Sequence, residues 1–339
     1  MSLITLTVFH FFYMQDLSKN DKYVQNWFSR VSPNTQRTNW SFFKVFCIWM
    51  KKTPTELIQL HEEKMAEKDP YFVLNKLQRY VNSVASGTLN TKMQIYTSVR
   101  SFYTHNRLSL PSDRVYRIQN VDDPVMPKLN PENLKILFNP KKTSIRYFSL
   151  FIVKYLSISD LVAIDYINRT KWPQIKQQLE TDDYPIKVDI PIGRKMSKGK
   201  PFFTLIGTEG AKLLKIHSET EKIKKTIWMS NKGNPLSKRQ IQREFFNLAV
   251  HTRLTKPIEH ADTSTRYGFH IHELRDIALS QVQQVRNVDL AVFQYIAGHG
   301  SRIDRLGYIK TWEHNPEYAR EEYRKAEPKL NEVFTWNKT

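Results

Sequence analysis

Phe269-His270-Ile271-His272-Glu273-Leu274-Arg275, then Ala297-Gly298-His299, then Tyr308: this stretch decides how the 339-residue chain is read. His272 and Arg275 are three residues apart, so on a helix the two side chains share a face. Tyr308 stands nine residues beyond His299. These residue types suit phosphodiester chemistry, which needs a nucleophile, positive charge around the non-bridging oxygens and an acid for the leaving oxygen. A tyrosine can attack phosphorus and conserve the bond energy in a phosphotyrosine. Arginine offers a planar fork of donors for two phosphate oxygens. Each histidine can donate to an oxygen that gains charge, at about 3–4 kcal/mol per donor on the oxyanion-hole scale. The acidic cluster of a two-metal nuclease is missing from the sequence, and neither a metal nor another cofactor is expected.

In order and spacing, His272-Glu273-Leu274-Arg275, Gly298-His299 and Tyr308 resemble the signature of the tyrosine recombinase and phage integrase family. The resemblance is strong over residues 130–310 and rests on pattern alone over 20–112. It implies that Tyr308 is the nucleophile and that Arg275, His272 and His299 hold the phosphate. It also implies a general-acid lysine in a β-hairpin turn. Lys195, after Ile192-Gly193-Arg194, is the best match; Lys198 and Lys200 share the turn and could replace it, but together with Arg194 they are read as DNA-phosphate contacts.

One family position departs from the pattern. Tyr155-Leu156-Ser157-Ile158-Ser159-Asp160-Leu161 matches the stretch that carries the first catalytic arginine, but Ser157 stands where arginine is expected. Asp160 replaces a glutamate, with the implied role of orienting the basic residues. Three readings of Ser157 stand side by side: an inactivated variant, a neighbouring cation (Lys154, Arg146 or Arg169) that supplies the charge, or a degenerate element that binds DNA and cuts poorly.

Outward from this core, residues 186–206 change period. Ile186, Val188, Ile190 and Ile192 alternate, the basic turn 193–200 follows, and Phe202, Phe203, Leu205 and Ile206 return as a second strand. Phe148 to Ile164 reads as one apolar helix. Asn130-Pro131-Glu132 and Ser237-Lys238-Arg239-Gln240 are helix starts. Toward the N-terminus, Ser32-Pro33, Thr53-Pro54, Asp69-Pro70 and Asn90-Thr91 open four helices. Their apolar faces carry Trp40, Phe43, Phe46, Trp49 and Met50, then Leu57, Ile58 and Leu60, then Phe72, Leu74, Leu77, Tyr80 and Val84, then Met93, Ile95, Val99 and Phe102. The expected fold is mainly α with a small antiparallel β-sheet. The expected domains are an apolar N-terminal segment (1–14), a helical core-binding domain (15–112), a linker with Pro124 and Pro127 (113–128) and a recombinase-type α+β catalytic domain (129–339). The apolar segment either packs on the body or precedes a natural start at Met14.

Competing motifs fall away. A zincin needs His-Glu-x-x-His, but position 276 is Asp. His270-x-His272 lacks a third ligand. Tyr318 and Tyr323 have the wrong spacing for a nucleophile, and Tyr323 reads as an exposed helix position. Lys222, Lys224 and Lys225 read as a solvated run.

Composition agrees with a polyanionic partner. Fifty-two Lys and Arg against 33 Asp and Glu leave a formal charge of +19, which favours nucleic acid or an anionic surface. The single cysteine, Cys47, excludes an intrachain disulfide and reads as core in a reducing compartment. No apolar run approaches the roughly 20 residues of a membrane span, and because the signature residues narrow the polyanion to duplex DNA, no membrane partner is expected. The resemblance implies double-stranded DNA held in a two-domain clamp, with a dimer on one site and a tetramer in synapsis. It further implies a C-terminal segment, Pro328 to Trp336, that docks either on a neighbour or on its own domain. The chain pattern looks most like archaeal mobile-element integrases or transposases. The expected location is cytoplasmic and nucleoid-associated. A non-catalytic DNA-binding protein and a type IB topoisomerase-like activity are the alternatives.

Overall fold

The computed structural model describes residues 17–83, 89–113, 116–118, 128–191, 201–259, 265–299 and 315–334. These residues fall into two compact units, 17–118 and 128–334.

The first unit is helical: α1 (Lys22–Phe28), α2 (Pro33–Met50), α3 (Pro54–Ala66), α4 (Phe72–Ser83) and α5 (Leu89–His105). Local chemistry sets the starts. Ser32 Oγ accepts from the Thr35 amide with Pro33 in the first turn, and Thr53 and Glu56 form a reciprocal capping box. Helix α5 packs against α1, α2 and α4. Trp27, Phe43 and Phe102 meet at its centre, with Phe43 and Phe102 ring centroids 4.2 Å apart. Cys47 is buried in this core, and burial pushes its thiol well above the usual range. Two residues of the expected apolar faces are exposed: Trp49 (38 %) and Met93 (43 %). Trp49 lies at the end of α2, in ring contact with Phe46 and Tyr80. Val84 and the segment 1–14 lie outside the described residues.

The second unit begins with α6 (Pro131–Leu137), capped by Asn130, followed by α7 (Ile145–Leu156), α8 (Leu161–Thr170) and α9 (Trp172–Glu180). Strands β1 (Ile186–Ile190) and β2 (Phe202–Ile206) pair antiparallel, from Ile186 opposite Ile206 to Ile190 opposite Phe202. Next come α10 (Thr208–Glu221) and α11 (Lys238–His251), which starts in the expected Ser237–Gln240 capping box. A short ladder joins β3 (Pro257–Glu259) to β4 (Thr265–Tyr267). Three-residue strands are too short to show alternation, and periodicity does not reveal them. Helices α12 (Glu273–Val282), α13 (Leu290–Ile296) and α14 (Pro316–Asn331) complete the unit. Every residue of β2 is buried, because α7 and α13 both pack on it. The described residues are thus mainly helical with small antiparallel ladders, as the patterning predicts. No helix among them is long and apolar enough to cross a membrane.

Two expectations are corrected, and one of two open alternatives is met. The apolar run 148–164 is two helices, not one. Asp160 accepts hydrogen bonds from the Val162 and Ala163 amides and starts α8, while Ile158 turns left-handed at φ 53°. For a β-branched residue that conformation costs on the order of 1–3 kcal/mol, offset here by full burial of the Ile158 side chain. Tyr323 is not exposed but fully buried, and its hydroxyl donates to the Leu156 carbonyl at 2.7 Å. The C-terminal segment docks on its own unit as far as Phe334: Leu330, Val333 and Phe334 are buried, and Phe334 packs on Phe138 and Tyr155.

Candidate active site

Strand β2 joins three of the predicted site segments. At its first residue, the Phe202 ring occupies the space beside Gly298, with ring carbons 3.0–3.3 Å from where a Cβ would lie. Phe203 meets Tyr295 of α13 edge to face at 5.1 Å. Two residues after Phe202, the Thr204 hydroxyl donates to the Ser157 carbonyl at 2.6 Å. The carbonyl end of α7, the root of the β1–β2 hairpin and the Gly298-His299 turn are therefore neighbours through one strand.

His299 is set by the way α13 ends. The Gly298 amide bonds the Tyr295 carbonyl (2.7 Å) and the His299 amide bonds the Gln294 carbonyl (2.9 Å), with Gly298 left-handed at φ 75°. This is a Schellman termination, which needs a residue without a Cβ penalty. The His299 ring Nδ1 lies 2.5 Å from Oε1 of Gln294.

His272 and Arg275 open α12. His272 is its N-cap and its carbonyl receives the Arg275 amide at 3.0 Å. His272 is exposed, whereas Arg275 is only 3 % exposed. The first turn of a helix favours anions, and a cation there loses about 0.3–1 kcal/mol. Burial adds a desolvation cost for a guanidinium that cannot lose its proton. Arg275 therefore sits where helix stability alone would not place it. Glu273 anchors this turn: its carboxylate accepts from the Leu129 amide (2.6 Å) and the His270 amide (2.8 Å). Helix α12 packs against α7 and α13, the helices that end at Ser157 and His299.

Ser157 is fully buried at the carbonyl end of α7, and its Oγ has no hydrogen-bond partner among the described residues. Of the three cations considered beside it, Arg146 pairs with Glu221 at 2.8 Å and bonds Asn231, and Arg169 pairs with Asp165 at 2.8 Å. Lys154 is the buried one, one helical turn before Ser157. Asp160 takes the N-cap position of α8. Tyr308, Lys195, Arg194, Lys198 and Lys200 lie outside the described residues. At the hairpin root, a cleft of about 420 Å³ is lined by Lys171, Lys187, Tyr166, Phe202 and Tyr295, mixing charge with aromatic faces.

Sequence reasoning missed Thr204, Gln294, Phe202 and Glu273 as positioning groups. Gln294 and Glu273 left local traces: a helix that ends at glycine places the residue four before it against the residue after it, and Glu273 accepts from the amide three residues before it. The contacts of Thr204 and Phe202 span 47 residues or more and leave no periodic signal.

No family model and no curated protein matches the sequence. Among solved structures, the chain resembles XerA recombinase at 17 % identity, covering 90 % of this chain and 98 % of that one, with a TM-score of 0.39. It resembles a lambda integrase dimer bound to a COC′ core site at 14 % identity, covering 83 % and 73 %, with a TM-score of 0.49. A third likeness is the Tn1549 transposon integrase in complex with transposon right-end DNA, at 12 % identity, covering 72 % and 85 %, with a TM-score of 0.47. Each of these three solved structures is a recombinase or an integrase.

Proposed function

We propose that this protein cleaves and rejoins DNA strands in the manner of a tyrosine recombinase, with Tyr308 as the nucleophile. The observation that carries the reading is Arg275, buried in the first turn of α12 against both burial cost and helix dipole, on a helix packed beside the one that ends in Gly298-His299. Such a guanidinium is suited to a phosphate, and the order His272, Arg275, His299, Tyr308 supplies the other groups a phosphodiester transfer needs. The Tyr308 phenol yields its proton to solvent as its oxygen attacks, forming a phosphotyrosyl bond to the 3′-phosphate and breaking the bond to the 5′-oxygen. Lys195 gives the leaving 5′-oxygen its proton, and a 5′-hydroxyl from another strand reverses the step. Neither ATP nor a metal enters this scheme. Lys154, buried one turn from Ser157, supplies positive charge on the α7 side in place of the absent arginine.

In this reading the partner is duplex DNA, the chain acts as a homo-oligomer, with a dimer on one site and a tetramer in synapsis, and the location is cytoplasmic and nucleoid-associated. Integration, excision and transposition of a mobile element all use this chemistry. The two-unit chain corresponds to a core-binding domain and a catalytic domain. The test is a nicked suicide substrate that traps the covalent intermediate. A protein–DNA adduct that is lost in Tyr308→Phe supports the reading. Stable DNA binding with no adduct refutes it in favour of a non-catalytic DNA-binding protein. Ser157→Arg separates the remaining options: a large gain in adduct marks Ser157 as an inactivating residue, and no gain supports a cation already in place.

A further inference from the structure

We infer that Gln294 is a positioning residue that sets the tautomer and aim of His299. Gln294 holds His299 twice: its backbone carbonyl accepts from the His299 amide at 2.9 Å, and its side-chain Oε1 lies 2.5 Å from the imidazole Nδ1. A carboxamide oxygen can only accept, so the ring nitrogen facing it carries the proton. The neutral imidazole is thereby the Nδ1–H form, and Nε2 is the nitrogen that exchanges a proton with whatever the ring meets. The arrangement is rigid for three local reasons. Gln294 lies in the last turn of α13, Gly298 is held left-handed by the Schellman bonds, and the Phe202 ring closes the space beside Gly298. The ring can neither swing with its backbone nor flip without breaking the side-chain bond.

The inference deepens the proposed function and rests on it for the meaning of the activity measurement. With the Nδ1 proton held by Gln294, the ring takes its second proton at Nε2, and in that imidazolium form Nε2–H is the donor that can meet the reacting phosphate. Loss of that fixing should lower the cleavage rate on the order of a hundredfold, as misplacement of a catalytic group by about 1 Å does. DNA binding, spread over many phosphates, should stay unchanged.

The experiment uses the full chain labelled with nitrogen-15 histidine at a pH where the imidazoles are neutral. The His299 signals are assigned by their loss in His299→Asn, since the chain has 10 histidines. The wild type and Gln294→Glu, which keeps an acceptor, should show the Nδ1–H tautomer. Gln294→Met, which keeps length and helix propensity without the acceptor, should shift to the Nε2–H form that free imidazole side chains favour. A wild type with Nε2–H, or a Gln294→Met spectrum identical to wild type, overturns the inference. Should Gln294→Met fail to fold, the wild-type and Gln294→Glu spectra still decide it. Adduct formation on the suicide substrate should fall in Gln294→Met and recover in Gln294→Glu. If wild type forms no adduct while the tautomers behave as stated, the recombinase reading fails and the role of Gln294 stands.

Discussion

Replacing Gly298 with alanine should destabilise the second unit through two separable causes. At φ 75° an added Cβ enters the left-handed region, which costs about 1–2 kcal/mol for a residue other than glycine. The same Cβ would lie 3.0 Å from the Phe202 ring tip and 3.3 Å from its neighbouring carbons. Phe202 is buried at 9 % exposure between Gly298 and the hairpin root, so the ring cannot move aside freely, and overpacking of this kind costs about 1–3 kcal/mol. Together Gly298→Ala should lose about 2–5 kcal/mol. The two parts are separated by a double-mutant cycle with Phe202→Leu, which removes the opposing ring. In that background the steric part disappears and the conformational part remains. The cycle should then return a favourable coupling of about 1–3 kcal/mol. The assay is urea unfolding of the four proteins, followed by the fluorescence of the seven tryptophans together with far-UV circular dichroism. A coupling near zero would refute the packing of Phe202 on the His299 turn, and an alanine variant as stable as wild type would refute the left-handed Gly298 as well.

Three further expectations follow from single contacts. Asp160→Asn keeps a good N-cap and should leave stability within about 0.5 kcal/mol, measured by urea midpoint; a large loss of DNA cleavage in that variant would show that the carboxylate also orients the basic groups. Tyr323→Phe removes the donor to the Leu156 carbonyl and should cost about 1–3 kcal/mol because the acceptor stays buried; no change in unfolding midpoint would argue against that bond. His217 is buried with its Nε2 on the Ile227 carbonyl, and burial holds its pKa below the ordinary 6.5. His61 in the first unit is lowered for the same reason. The unfolded chain takes up the proton first as pH falls, so this stability is present above pH 6.5 and is lost below it. Urea midpoints measured from pH 7.5 down to 5.5 should decline, and His217→Gln should flatten the decline.

DNA binding offers an independent check on the charge. Each neutralised phosphate contributes a slope of about −0.9 in log affinity against log salt. A formal charge of +19 spread over two units should give a steep slope in a fluorescence-anisotropy titration, and a flat one would remove duplex DNA as the partner.

Much of the secondary structure was legible because its signals are local. Ser32, Thr53, Asn130 and Ser237 each cap a helix with bonds reaching no further than three residues, and the β1–β2 pair follows from the alternation of Ile186, Val188 and Ile190 and the apolar return at Phe202 to Ile206. The same locality explains the misreading of 148–164. Hydrophobicity runs straight through the break, and only the Asp160 cap and the turned backbone of Ile158 mark it. Tyr323 shows the limit from the other side. Its neighbours Glu321, Glu322 and Arg324 are charged, yet the hydroxyl reaches a carbonyl 167 residues away, and a polar sequence context cannot report that.

The sequence by itself determined the reactive residue types, their order and the helix starts, since these depend on composition, spacing and bonds within a turn. Tertiary structure decided which of those residues become a site. Arg275 is buried on a helix that packs against α7, α13 and α14. The aim of His299 depends on Gln294 and on a phenylalanine 96 positions earlier at Gly298. The Ser157 carbonyl meets Thr204 only because β2 lies against α7. Contacts of that span are selected by the shape of the whole core, which no local pattern encodes.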